Sequence, residues 1–167
     1  MMRQVVLLGV VLVLALPGTV QAQGRPDFSG RWTVSAKEPA DYGGSGPSGD
    51  ARNWGVPSTM IIRQTAGEIT IESGQFGRES LRVVYKLDGS DTIWEAEGAS
   101  QSGASAVVKW RTKARWEGDR LVLFTWNTAL NQMRDIMSLS GGQLTIARAT
   151  EQPGPSTNAQ LTYTKGP

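Results

Sequence analysis

The 167-residue sequence contains neither cysteine nor histidine. These two absences exclude many kinds of catalytic and metal-binding site. They rule out disulfides, zinc sites built on His or Cys, Ser-His-Asp and Cys-His catalytic centres, and His-ligated haem. Carboxylates, lysine, tyrosine, hydroxyls and methionine are left for catalysis. The composition therefore leaves enzymatic activity uncertain, with a non-enzyme favoured, and it indicates no cofactor and no metal.

A large excess of charge is absent too, since 17 Lys and Arg face 15 Asp and Glu. Arg3 lies in an amino-terminal segment that we expect to be cleaved, and without it 16 basic residues face 15 acidic residues. Such a chain has no global field to attract a polyanion. Nucleic acid is therefore not an expected partner.

The longest apolar run, Val5 to Leu16, is shorter than the about 20 residues that a membrane-spanning helix needs. It follows Arg3 and precedes a small-residue site at Val20-Gln21-Ala22, which is the three-part pattern of a secretory signal peptide. We expect residues 1–22 to be cleaved, which leaves no membrane span, and residues 23–167 to form one exported domain, periplasmic or extracellular. The alternative is an uncleaved anchor.

Helical periodicity is not evident after residue 22, whereas two-residue alternation recurs between turn signals such as Asp88-Gly89. The clearest alternation covers Ser105 to Trp116. Short turns join antiparallel neighbours, and a long meander removes its edges by closing. The sequence predicts an all-β fold: one antiparallel up-and-down meander of eight to ten strands, closed into a barrel without disulfides. Among its strands we expect Ser58–Thr65, Glu68–Ser73, Ser80–Leu87, Thr92–Glu95, Gln132–Leu139, Gln143–Thr150 and Ala159–Lys165.

Residues 36–57 form a predicted long loop rich in Gly, Ser and Pro. Loops of this length are functional lids or plain connections, and the composition does not decide between them. Tyr42 and Trp54 are the side chains that could cap a cavity; otherwise Trp54 packs onto the barrel wall.

The segment Asp27-Phe28-Ser29-Gly30-Arg31-Trp32 leads into the first predicted strand. A glycine two residues before a tryptophan indicates a close backbone approach and an aromatic ring packed across one barrel end. With the large first loop and the meander, this opening resembles the lipocalin or calycin barrel. It is also similar to small exported bacterial proteins that begin Asp-Phe-Ser-Gly-x-Trp. Further matches to that group are Tyr85 to Gly89, Trp116 to Val122 and Leu161 to Lys165.

The resemblance implies a structural plug, with Gly30 and Trp32 in the lipocalin Gly-x-Trp positions. It also implies a late-strand cation over the indole, for which Arg148 is the first candidate and Lys165 the second. For function it implies transport or sequestration of a small apolar or amphipathic molecule. The alternatives are a filled barrel acting as an interaction module of the cell envelope, and an enzyme using carboxylate, Tyr or Lys chemistry.

Aromatic residues are the candidate ligand contacts: Trp110 and Trp116 on one strand face, together with Tyr85 and Trp54. Aromatic walls beside small residues leave room for an apolar ligand, although plain core packing explains the two strand tryptophans equally well. A cavity of at least about 300 Å³ lined by Trp110 would favour a ligand-binding protein.

Charged and sulfur-containing residues offer weaker candidates. The stripe Lys109, Arg111, Lys113 and Arg115 could bind an anionic glycan or lipid, or it could be a solvated outer face paired with carboxylates across strands. Glu95 and Glu97 could form an acid-base pair, and Asp88 to Asp91 a calcium loop with too few oxygen ligands. Met133 and Met137 are about 13 Å apart along a strand, too far to share one copper ion. We expect these last three sets to be solvated or core residues.

Overall fold

The structure is a computed structural model that describes residues 24–38, 57–74, 80–99, 105–128, 131–151 and 156–167. Residues 1–22, which the sequence predicts to be a signal peptide, lie outside these ranges, as do Tyr42 and Trp54. Within them the chain forms ten strands: β1 Gly30–Glu38, β2 Thr59–Gln64, β3 Glu68–Gly74, β4 Leu81–Lys86, β5 Asp91–Ala99, β6 Ser105–Glu117, β7 Arg120–Asn127, β8 Gln132–Ser140, β9 Gln143–Glu151 and β10 Thr157–Lys165.

All ten strands belong to one antiparallel sheet in the order β4-β3-β2-β1-β10-β9-β8-β7-β6-β5. Each strand pairs with its neighbours in sequence except that β4 and β5 do not pair with each other, and β1 also pairs with β10. The sheet therefore wraps into a nearly closed barrel whose two edge strands are β4 and β5. The predicted all-β antiparallel up-and-down barrel is confirmed.

Alternation of side chains gives the wall its two faces. In β9 the even-numbered residues Leu144, Ile146, Arg148 and Thr150 are buried, whereas the residues between them are exposed or half-buried. Tight turns such as Gly89 (φ 81°) and Gly118 (φ 66°) then reverse the chain, because glycine adopts positive φ without steric cost. The two-residue period thus determines which residues face the barrel interior.

Two strands extend further than predicted. β5 continues from the predicted Thr92–Glu95 to Ala99 because all nine of its residues pair with β6. β1 continues to Glu38, three residues into the predicted loop, because β10 supplies partners up to Gln160. Between Val34 and Ala36 the register of this pair shifts, which marks a bulge at Ser35.

One end of the barrel, here called the closed end, is filled with apolar side chains. Phe28, Trp32, Leu121, Leu144 and Tyr163 are at most 1% exposed and belong to a single core. The segment before β1 closes this end. The backbone N–H of Phe28 donates to Oε1 of Gln64 (3.1 Å), and Nε2 of Gln64 donates to the carbonyl of Pro26 (2.9 Å).

The opposite end of the barrel, where β1 ends and β10 begins, is here called the far end.

No helix in the described ranges is both long and apolar enough to cross a membrane.

Candidate functional site

Trp32 is the central residue of the closed end. It is 1% exposed, and its Nε1–H donates to the carbonyl of Phe28 (2.8 Å). The cation over the indole is Lys165, whose Nζ lies 5.6 Å from the ring centroid. The first candidate, Arg148, forms an ion pair with Asp135 instead. Gly30 leaves room for this lysine, since a Cβ at position 30 would lie 2.5 Å from Cε of Lys165.

Trp116 lies at the closed end as well. Its ring stacks on Phe28 at a centroid distance of 5.8 Å, and the guanidinium of Arg25 lies 5.5 Å from it. Trp110 is six residues earlier on β6, about 20 Å away along the strand. The two candidate tryptophans therefore share a face but lie in different parts of the interior, and Trp116 packs in the closed-end core.

Beyond the apolar core, the interior becomes polar. We call Trp94, Thr112, Thr125, Asp135 and Arg148 the polar level. Asp135 and Arg148 lie directly opposite each other on β8 and β9, next to the core pair Met137 and Ile146. Nε of Arg148 donates to Oδ1 of Asp135 and Nη2 donates to Oδ2, both at 2.7 Å. Each side chain is 7% exposed, so this is a buried, bidentate ion pair.

Hydroxyl groups continue the polar level around the wall. Nε1–H of Trp94 donates to Oγ1 of Thr112 (2.9 Å), and this hydroxyl is hydrogen-bonded to Oγ1 of Thr125 (2.9 Å). Trp94 also stacks on Trp110 with ring centroids 5.8 Å apart. The polar groups at this level thus satisfy one another, as buried polar groups must.

Two tyrosines extend toward the polar level. Burial raises the pKa of Tyr85 well above its usual range; the Asp135 carboxylate raises it further, and Arg148 opposes the rise. Burial likewise raises the pKa of Tyr163, whose hydroxyl donates to the carbonyl of Pro57 (3.2 Å). Both phenols therefore stay neutral and act as amphipathic wall residues rather than as charged groups.

Accessible surface inside the barrel indicates where a ligand could lie. Val34, Ile71 and Tyr85 pack against the core yet remain half-buried. Burial is the main cause of the raised pKa of Tyr85, which shows that protein surrounds much of this side chain. All three are inward-facing side chains that the surrounding core does not cover completely, so they are available for contact with a ligand. The structure also has two recesses. One, of about 400 Å³, is lined mainly by residues of the outer wall, and the other, of about 380 Å³, by residues of the closed end. Trp110 lines neither.

The basic stripe of β6 lies on the outer wall and has carboxylate neighbours. Lys109 approaches Glu95 (3.9 Å), Arg111 and Lys113 approach Asp91 (3.3 and 3.7 Å), and Arg115 approaches Glu117 (2.7 Å). The hydrogen bond from Arg115 lowers the pKa of Glu117. Pairing of exposed charges, across to β5 for the first three cations and along β6 for Arg115, accounts for the stripe without a polyanionic partner.

The remaining candidates do not converge on a reactive centre. Glu95 is exposed on the outer wall beside Lys109, and the side chain of Glu97 lies outside the described set. Asp88 accepts the backbone N–H of Ser90 (2.9 Å), which belongs to a tight turn. Met137 is fully buried and Met133 half-buried. Within the described residues, no group of three or more Asp and Glu could hold a metal ion.

Sequence reasoning overlooked Trp94, Asp135 and the threonine pair. The sequence does indicate a buried charge at position 135, because this aspartate alternates with Met133 and Met137 on the inward face of β8. A charge within an inward series needs a partner on a neighbouring strand. Arg148 occupies the equivalent place between Ile146 and Thr150 on β9.

Solved structures share this architecture, although no protein-family model and no curated protein matches the chain. Fatty-acid-binding protein 1 of Echinococcus granulosus has a TM-score of 0.57 at 14% identity, with 84% of this chain and 98% of that chain covered. Zebrafish ileal bile acid-binding protein complexed with cholic acid has a TM-score of 0.53 at 16% identity, with 83% and 98% covered.

A secretary abundant heat soluble protein of Ramazzottius varieornatus is similar as well, with a TM-score of 0.57 at 12% identity and 83% and 95% covered. Identities this low show the fold alone. The chain has a lipocalin-like or calycin-like β-barrel fold, which confirms the predicted fold.

Proposed function

We propose that the barrel binds one small apolar or amphipathic molecule in the part of its interior beyond the closed-end core. The observation that carries this proposal is the accessible surface on the inward-facing Val34, Ile71 and Tyr85. Apolar side chains next to a few convergent polar groups are typical of ligand sites. Structural neighbours named for fatty acids and for cholic acid support the same class of ligand.

The amphipathic lining gives such a molecule a defined orientation. The core side offers Ile71, Tyr85 and Val34 to a hydrocarbon portion, whereas the polar level offers hydroxyls and an ion pair on the side of the far end. Burial of a hydrocarbon chain supplies about 0.8 kcal/mol per methylene. Trp94 and Trp110, which stack at this level, supply a rigid aromatic wall.

The test is titration of the full chain with the neutral dye Nile red, followed by fluorescence. We expect saturable binding of one dye per barrel. Val34→Trp fills the interior and should weaken binding at least tenfold, as should Ile71→Phe. Val84→Trp is the matched control, because Val84 lies on the outward face of β4 and is 39% exposed. Circular dichroism confirms that each variant is folded. Absence of saturable binding by the wild type would contradict the proposal and favour the interaction-module alternative.

We also propose that the protein is exported, which rests on the signal-peptide pattern of residues 1–22. Intact mass of the protein purified from its host should correspond to a chain beginning at Gln23. A mass that includes Met1 or Met2 would contradict cleavage.

A further inference from the structure

The bulge in β1 changes which of its residues face the barrel interior. Val34 lies opposite the buried Tyr163, and in an uninterrupted strand the residues alternating with it would be Ala36 and Glu38. The extra residue Ser35 reverses this alternation. Ala36 lies opposite Thr162 and Lys37 opposite Leu161, which is fully buried in the core. Because directly opposed residues point to the same face of a sheet, Lys37 faces inward.

Lys37 is placed well for contact with a bound molecule. It is half-buried and lies one residue before the end of β1, at the far end of the barrel. Its neighbours Ala36 and Glu38 are exposed on the outer wall. The long lysine stem can follow the apolar wall while the ammonium stays near the far end.

The charges of the interior make this lysine distinctive. Arg148 is the other inward-facing cation on the far side of the core among the described residues, and Asp135 binds it in a bidentate pair. A ligand carboxylate that displaced Asp135 from Arg148 would leave a buried carboxylate without its cation, which is strongly unfavourable. The ion pair therefore contributes no net charge for a ligand to neutralise, whereas Lys37 contributes one.

We propose that Lys37 binds the acidic head group of an amphipathic ligand at the far end of the barrel, with the hydrocarbon portion directed toward Tyr85 and the closed-end core. This assignment rests on the proposed ligand-binding function. It places the head group at the far end and gives Arg148 a structural role in the wall. A carboxylate is the simplest head group that fits a single ammonium with three donors.

Paired ligands of equal chain length test the assignment. Dodecanoate and dodecan-1-ol differ in the head group alone, and their dissociation constants follow from calorimetry or from displacement of Nile red. We expect the wild type to bind dodecanoate about tenfold or more tightly than dodecanol, the size typical of a charge-assisted hydrogen bond. Lys37→Gln should remove this preference while leaving dodecanol affinity within about twofold. Lys37→Glu should instead favour dodecylammonium.

Lys109→Gln is the matched control, because Lys109 lies on the outer wall with 64% of its side chain exposed. It should leave the ratio of the two affinities unchanged. A wild type without preference for dodecanoate, or a Lys37→Gln variant that keeps the preference, would overturn the assignment even if Nile red still binds. Failure of both ligands and of Nile red would overturn the assignment together with the proposed function.

Discussion

Gly30 combines two constraints that no other residue type satisfies. Its φ of 143° lies in a region that side chains rarely adopt, and Cε of Lys165 occupies the place of a Cβ. The lysine in turn lies over the Trp32 ring, where a cation is attracted by the π-system. The Gly-x-Trp opening therefore defines a three-residue contact between the first and last strands.

Gly30→Ala should lower the free energy of unfolding by about 1–3 kcal/mol, the cost of a strained backbone conformation. Gly67→Ala is the matched control, because no atom lies within 4 Å of the added Cβ and its φ is not positive. That control should stay within about 0.5 kcal/mol of the wild type. Urea unfolding followed by tryptophan fluorescence measures both. Equal stability of the two variants would show that position 30 tolerates a side chain.

At the scale of elements, β4 and β5 are the least supported strands. They adjoin in the barrel but are not paired in the sheet order. Contact between them includes a hydrogen bond near the closed end, where the backbone N–H of Lys86 donates to Oγ1 of Thr92 (3.3 Å). Each edge strand therefore has a row of backbone groups that its one sheet neighbour does not satisfy.

Native-state hydrogen exchange followed by NMR should reveal the unpaired edges of β4 and β5. We expect alternate amides of β4, those directed away from β3, to exchange much faster than the amides of β8 and β9. The latter two strands pair on both sides and serve as the internal reference. Local opening of such edges costs less free energy than global unfolding. Uniform protection along β4 would mean that β4 and β5 pair in solution.

Element-scale features were predictable where the signal is local. The alternation of β6 and the Asp88-Gly89 turn depend on residues that are close in sequence, and both are present in the structure. The inward position of Lys37 was not predictable, because one extra residue reverses the alternation of β1. The Asp135–Arg148 pair was missed because its contact depends on the register between two strands rather than on either strand alone.

For the whole molecule, the neutral tyrosines in the interior determine stability at alkaline pH. Tyr85 in the unfolded chain loses its proton near pH 10, whereas the folded protein holds the pKa of this phenol higher. Above about pH 10 the unfolded state therefore binds fewer protons, and rising pH favours unfolding. Stability is unaffected by this group below that pH.

Between pH 9 and pH 11, the wild type should lose about 1.4 kcal/mol more unfolding free energy than Tyr85→Phe. Urea titrations at the two pH values measure the difference. Lysines and Tyr163 titrate in both proteins, so their contributions cancel. An identical pH dependence of the two proteins would show that Tyr85 ionises normally in the folded state.

The pairing of the first strand with the last has a consequence for how quickly the barrel forms. Oγ of Ser35 donates to the carbonyl of Thr162, a contact between residues 127 positions apart. Chain entropy must be lost across nearly the whole domain before this contact is gained. Topologies dominated by such distant contacts fold in about milliseconds to seconds rather than microseconds. Until β10 has been synthesised, the edges of β1 and β9 have no partner, so the interval before closure is when the chain is most exposed to aggregation.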